Sequence, residues 1–173
     1  MRPERGLLAF AIAVFVLHQL PAPLGEAGTW VDLATPFAVL GAAAWALRGA
    51  RGAAVATAVV GAVLYVDGHG IHLAANDIRH EHPTGSVEDV AHFWDERFGH
   101  IEWHLGWLVL LAAFCLAETR GARIGRRGLA AGLLLGWTLF TSTVEGGDWG
   151  LTLAAGVVFA AWSLVRPRPV VTA

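Results

Sequence analysis

The feature that most constrains this chain is the spacing of its apolar runs. Stretches close to the roughly 20 residues that a bilayer requires recur from one end to the other: Leu7–Leu24, Trp30–Leu47, Ala53–Ala75, Ile101–Ala117, Gly128–Val144 and Trp149–Val165. With 55% hydrophobic and 15% charged residues, the chain lies well outside the range of ordinary soluble domains. The pattern predicts an all-α polytopic membrane protein. It is expected to be a single domain over 1–173, with six transmembrane helices in an up-down bundle at 7–24, 30–47, 53–75, 87–117, 128–144 and 149–165. The fourth helix starts ahead of its apolar run because Ser86, followed by Val87, Glu88 and Asp89, has the form of an N-cap with acids in the first turn. A cleavable signal is the rival reading of residues 1–28, although no good small-x-small site precedes Thr29.

Charge placement predicts orientation. All twelve cationic residues are arginines. In a six-helix meander Arg2, Arg5, Arg48, Arg51, Arg120, Arg123, Arg126, Arg127, Arg166 and Arg168 share one side, and only Arg79 and Arg97 lie on the other. The positive-inside rule makes the arginine-rich side cytoplasmic, with both termini inside. Glu4 and Glu118 share that side, and the other carboxylates fall in the outer half or outside. The expected location is therefore the cell membrane, of the bacterial inner-membrane type. Trp30, Trp94, Trp103 and Trp149 would form an outer aromatic belt and Trp45 and Trp162 an inner one. Cys115, the lone cysteine, cannot form an internal disulfide and is expected in the core. Trp107 and Trp137, placed deeper, would wall a cavity or fill core.

Every histidine falls on the outer side of this topology. His18 and Gln19, Asp32 and Thr35, Asp67, His69, His72 and Asn76, then His92, Glu96, His100 and His104, then Thr141, Glu145 and Asp148 lie at similar depth on five helices. Polar groups so placed are costly unless they meet a cavity, a partner or an ion. His92, Glu96, His100 and His104 run at i, i+4 intervals and form one predicted stripe; His69, His72 and Asn76 share a face of the preceding helix. Asp67 would point away from that face unless Gly68 and Gly70 distort the turn. The His80-Glu-His82-Pro segment is expected in a solvated outer loop, and Glu145-Gly-Gly-Asp148 is either an interfacial turn or part of the site.

Imidazoles one helical turn apart can ligate one ion, and a facing helix can complete its shell. His69, His72, His100 and His104 are the expected metal ligands. Glu96, Asp67 and Glu145 are the candidate catalytic carboxylates, and His92, Asn76 and Asp148 the candidate supporting residues. A metal-free polar network or proton relay is the alternative.

The segment His100-Ile-Glu-Trp103-His104 resembles the H-x-x-W-H or H-x-x-x-H motif of the alkaline ceramidase, adiponectin-receptor and hemolysin III superfamily of membrane metal-dependent hydrolases. The resemblance implies a zinc ion held by three histidines near an aspartate and a serine. His100 and His104 match the paired ligands, and Asp67 would stand for the aspartate. This chain departs from the pattern in having no Ser-x-x-x-His, six predicted helices rather than seven, and its histidine pair on the fourth.

The expectation is thus a divalent metal site, zinc favoured over iron because an outward-facing site is remote from cytoplasmic reductant. It suits hydrolysis of a lipid or other amphiphile from the outer leaflet. Membrane lipid is the expected partner, with oligomers or a partner subunit as alternatives and no nucleic acid. The competing functions are a non-catalytic metal or proton carrier or sensor, and a membrane subunit of a larger complex.

Overall fold

The computed structural model describes residues 3–117 and 125–165, apart from the side chains of Pro3, Ala22, Glu26, Glu145, Ser163 and Val165. Arg2, Glu118, Arg120, Arg123, Arg166 and Arg168, which enter the charge asymmetry, lie outside the described residues, as does the Glu145 side chain. Among the described residues the chain is helical, with no strand. The helices are α1 (Pro3–Gln19), α2 (Pro21–Leu24), α3 (Glu26–Ala46), α4 (Ala53–Glu81), α5 (Ser86–His92), α6 (His100–Ala117), α7 (Arg126–Gly146) and α8 (Trp149–Val165). Phe93–Gly99, between α5 and α6, is a π-helical stretch that joins them into one rod.

Each predicted apolar run is occupied by a helix, with altered ends. The first helix stops at Gln19, and the Pro21-Ala22-Pro23 segment forms the separate turn α2. Neither proline nitrogen can donate to a helical carbonyl, which accounts for the break. Helix α4 runs six residues past Ala75, so His80 lies on the helix and donates from Nδ1 to the Asn76 carbonyl at 2.9 Å. At 1.5 Å per residue, its 29 residues reach about 43 Å, beyond the roughly 30 Å of a bilayer's hydrocarbon. Among the described residues two rods are long and apolar enough to cross a membrane: α4 and the continuous Ser86–Ala117. Large apolar side chains also cover the outside, among them Phe37, Val59, Val63, Leu133, Leu153 and Val157.

The core lies where α1, α4, α6 and α7 meet. Phe10, Leu7 and Val14 of α1 pack with Trp107, Leu110, Leu111 and Phe114 of α6, and the Phe10 and Phe114 rings meet edge to face at 4.9 Å. Cys115 is buried there, as expected. Trp103 corrects the expected aromatic belt. It is buried among histidines, because the face of α6 that bears it is pressed on α4, whereas Trp30, Trp94 and Trp149 are exposed. Trp107 is buried and Trp137 exposed.

Helices α4 and α6 make the most extensive contact among the described residues. Its cause is a seam of four glycines spaced seven apart on each helix. A Cβ on Gly61 would stand 2.9 Å from the Gly106 carbonyl oxygen, and one on Gly99 would stand 2.9 Å from the His72 nitrogen. On Gly68 it would fall on the backbone of Trp103, and on Gly106 on that of Tyr65. Small residues allow such backbone approach, and no other side chain fits. Gly68 therefore serves packing and does not turn Asp67 inward.

Candidate metal centre

The glycine seam sets the distance between two histidine-bearing faces. Across it the His72 and His100 ring centroids are 4.5 Å apart. One potential ligand atom each from His72, Asp95 and His100 lie within 4.8 Å of one another. A zinc ion with bonds of about 2.0–2.2 Å holds its ligand atoms roughly 3.5 Å apart, so small rotations of these side chains would close the set around an ion. His69 and His104 flank it, with ring centroids 6.3 Å from His72 and 5.6 Å from His100 respectively. The indole of Trp103 lies among all four rings.

Each of these imidazoles has a carboxylate beside it. His72 Nδ1 donates to Asp95 Oδ1 at 2.5 Å, His104 Nδ1 to Asp148 Oδ2 at 2.6 Å and His69 Nε2 to Asp32 Oδ1 at 2.9 Å. Glu96 Oε2 stands 3.2 Å from His100 Nδ1, within ion-pair range though not aligned as a hydrogen bond. Asp32 and Asp148, so placed, fix the rings of His69 and His104 and their tautomers, whereas Asp95, with Oδ1 on His72 and Oδ2 on Arg79, would exchange one of these bonds for a metal to become a ligand itself. His69 and Asp95 are each only 1% exposed, so these bonds also satisfy groups that would otherwise be costly to bury.

Arg79 completes the surroundings. Its guanidinium donates to Asp95 Oδ2 at 2.7 Å and to Glu96 Oε1 at 2.8 Å, and it lies 3.6 Å from Glu88. Three carboxylates thus face one guanidinium, and the two uncompensated negative charges suit a dication.

The other expected site residues are dispersed. Asp67 is exposed on the opposite face of α4, lines an apolar groove and lies against Glu102. His92 is exposed, and Asn76 lies one turn above His72, lining an open cleft with Asp32 and His80. Asp148 is buried on His104. The turn that carries it is made by Gly147, whose φ of +66° closes α7 in a left-handed conformation that glycine adopts readily.

Asp95, Asp32 and Arg79 are neighbours of the candidate site that the i, i+4 stripe does not mark. The reason is the π-helical stretch. With more residues per turn than an α-helix, it rotates everything before it relative to α6, which turns His92 outward and Asp95 inward. Comparisons with protein-family models, with curated proteins and with solved structures find no match to this chain.

Proposed function

We propose that this chain is an integral membrane protein of six spans with both termini cytoplasmic, and that His72, Asp95 and His100 hold a divalent metal, zinc before iron, near its outer face. The observation that carries this reading is the convergence of three potential ligand atoms within 4.8 Å on the two faces that the glycine seam brings together. When bound, zinc would lower the pKa of a water and polarise an ester or amide carbonyl. Glu96, one helical turn from His100 and partly exposed, is placed to take a proton at Oε2, while Arg79 holds its other oxygen. The activity most consistent with this set is hydrolysis of a lipid or amphiphile reaching the site from the outer leaflet. The resemblance of His100-Ile-Glu-Trp103-His104 to membrane metal-dependent hydrolases agrees with this set at His100 alone, since it would make His104 the paired ligand and Asp67 the aspartate.

Elemental analysis of the full chain purified in detergent tests this reading. Wild type and His92→Ala are expected to carry close to one metal per chain, and a His72→Ala, His100→Ala double variant to carry almost none. Negligible metal in all three after zinc loading would leave the polar network as the better account.

A further inference from the structure

A second polar feature lies inside the bundle, apart from the trio. His104 is 4% exposed and its Nδ1 is committed to Asp148, yet its Nε2 is buried with no hydrogen-bond partner among the described residues. A buried imidazole nitrogen in that state costs about 1–3 kcal/mol unless something pairs with it. His104 lines a small cavity of about 10 Å³ at the junction of α1, α3, α6 and α7. Thr35, Thr138 and Ser142, all three buried, line the same cavity together with His18, whose Nε2 lies 3.2 Å from Ser142 Oγ, and the rings of Tyr65, Trp103 and Trp107. Thr35 Oγ1 donates to the Val31 carbonyl at 3.0 Å and Thr138 Oγ1 to that of Leu134 at 2.9 Å, which leaves lone pairs on both oxygens as acceptors. A space of about 10 Å³ is at the lower limit for one water, and the His104 nitrogen and the hydroxyl oxygens supply the two to four polar partners that a retained water needs within a mainly apolar lining.

We infer that this cavity is the binding site of a single internal water molecule, and that His104 Nε2 accepts a hydrogen bond from it and does not ligate the metal. With its proton on Nδ1 toward Asp148, His104 presents a lone pair at Nε2. The water donates one hydrogen there and the second to a threonine or serine oxygen. It thereby joins α6 to either α3 or α7 at a point where no direct side-chain bond to Nε2 exists among the described residues. The distances fit this role: the trio closes within 4.8 Å without His104.

Solid-state NMR of the full chain, labelled with ¹⁵N-histidine and reconstituted in phosphatidylcholine vesicles, reads the site directly. The expected result is an unprotonated His104 Nε2 with a cross-peak to water that persists after chelation and in His72→Ala. An Nε2 resonance that shifts on zinc loading, or that shows no contact with water, would overturn the inference. A second measurement uses Val14, which lines the cavity. Val14→Ile puts a methylene where the water sits, so the unfolding temperature should fall in wild type and rise or hold in a His104→Leu background. An increase in wild type, or an equal change in both backgrounds, would count against bound water.

Discussion

Replacing Gly68 with alanine tests the glycine seam, because a nearby glycine on the same helix serves as its control. A Cβ on Gly68 would lie 2.8 Å from both Glu102 C and Trp103 Cα, and nearer still to the Trp103 nitrogen. Carbon atoms in comfortable contact stand about 3.5–4.0 Å apart, so the helices would have to part by about 1 Å. All three obstacles are backbone atoms, and no side-chain rotation relieves them. Overpacking of this kind costs about 1–3 kcal/mol, set against a gain of about 1 kcal/mol from replacing a helical glycine by alanine. At Gly70 a Cβ meets nothing within 4 Å, so Gly70→Ala retains the gain alone. The two variants should therefore differ by about 1–3 kcal/mol, a difference from which the propensity effect cancels. For a chain of this length that is a separation of several degrees in Tm, measurable by circular dichroism in detergent. Metal retention should follow stability, because an opening of about 1 Å is large beside the ±0.2 Å that metal–ligand distances tolerate. Equal melting temperatures and equal metal content for Gly68→Ala and Gly70→Ala would refute the account of the seam.

Arg79→Gln removes the donor that Asp95 and Glu96 share, and is expected to cost about 1–3 kcal/mol in chelator. Added zinc should recover more of that loss than it gives wild type, since a dication replaces the missing counter-charge; an equal zinc effect would argue against metal at the trio. For orientation, Thr84→Cys in a Cys115→Ala background should react with a membrane-impermeant maleimide added to intact cells, and reaction only after lysis would reverse the proposed topology.

The helices were largely legible in the sequence, because apolar length is a direct consequence of what each segment must bury or face. The partnership of α4 and α6 was visible only in part. Histidines at i, i+3 and i, i+4 marked the faces on which the candidate ligands lie, except at His92, but the glycines that bring those faces into backbone contact are seven apart on separate helices, and their match emerges only on packing. Asp95 was hidden for a different reason. An α-helical wheel assumes constant rotation per residue, and the π-helical stretch from Phe93 to Gly99 breaks that assumption at the site itself. Asp32 and Asp148 reach their histidines from other segments, at sequence separations of 37 and 44, so no local pattern pairs them.

The four histidine–carboxylate pairs divide into two mechanical kinds. His72–Asp95 and His100–Glu96 join α4 and the Ser86–Ala117 rod to themselves, within a pair of helices that the glycine seam holds as one rigid body. His69–Asp32 and His104–Asp148 leave that body, one for α3 and the other for the turn between α7 and α8. Asp32 and Asp148 therefore fasten α3 and the turn after α7 to the pair of helices that carries the candidate ligands.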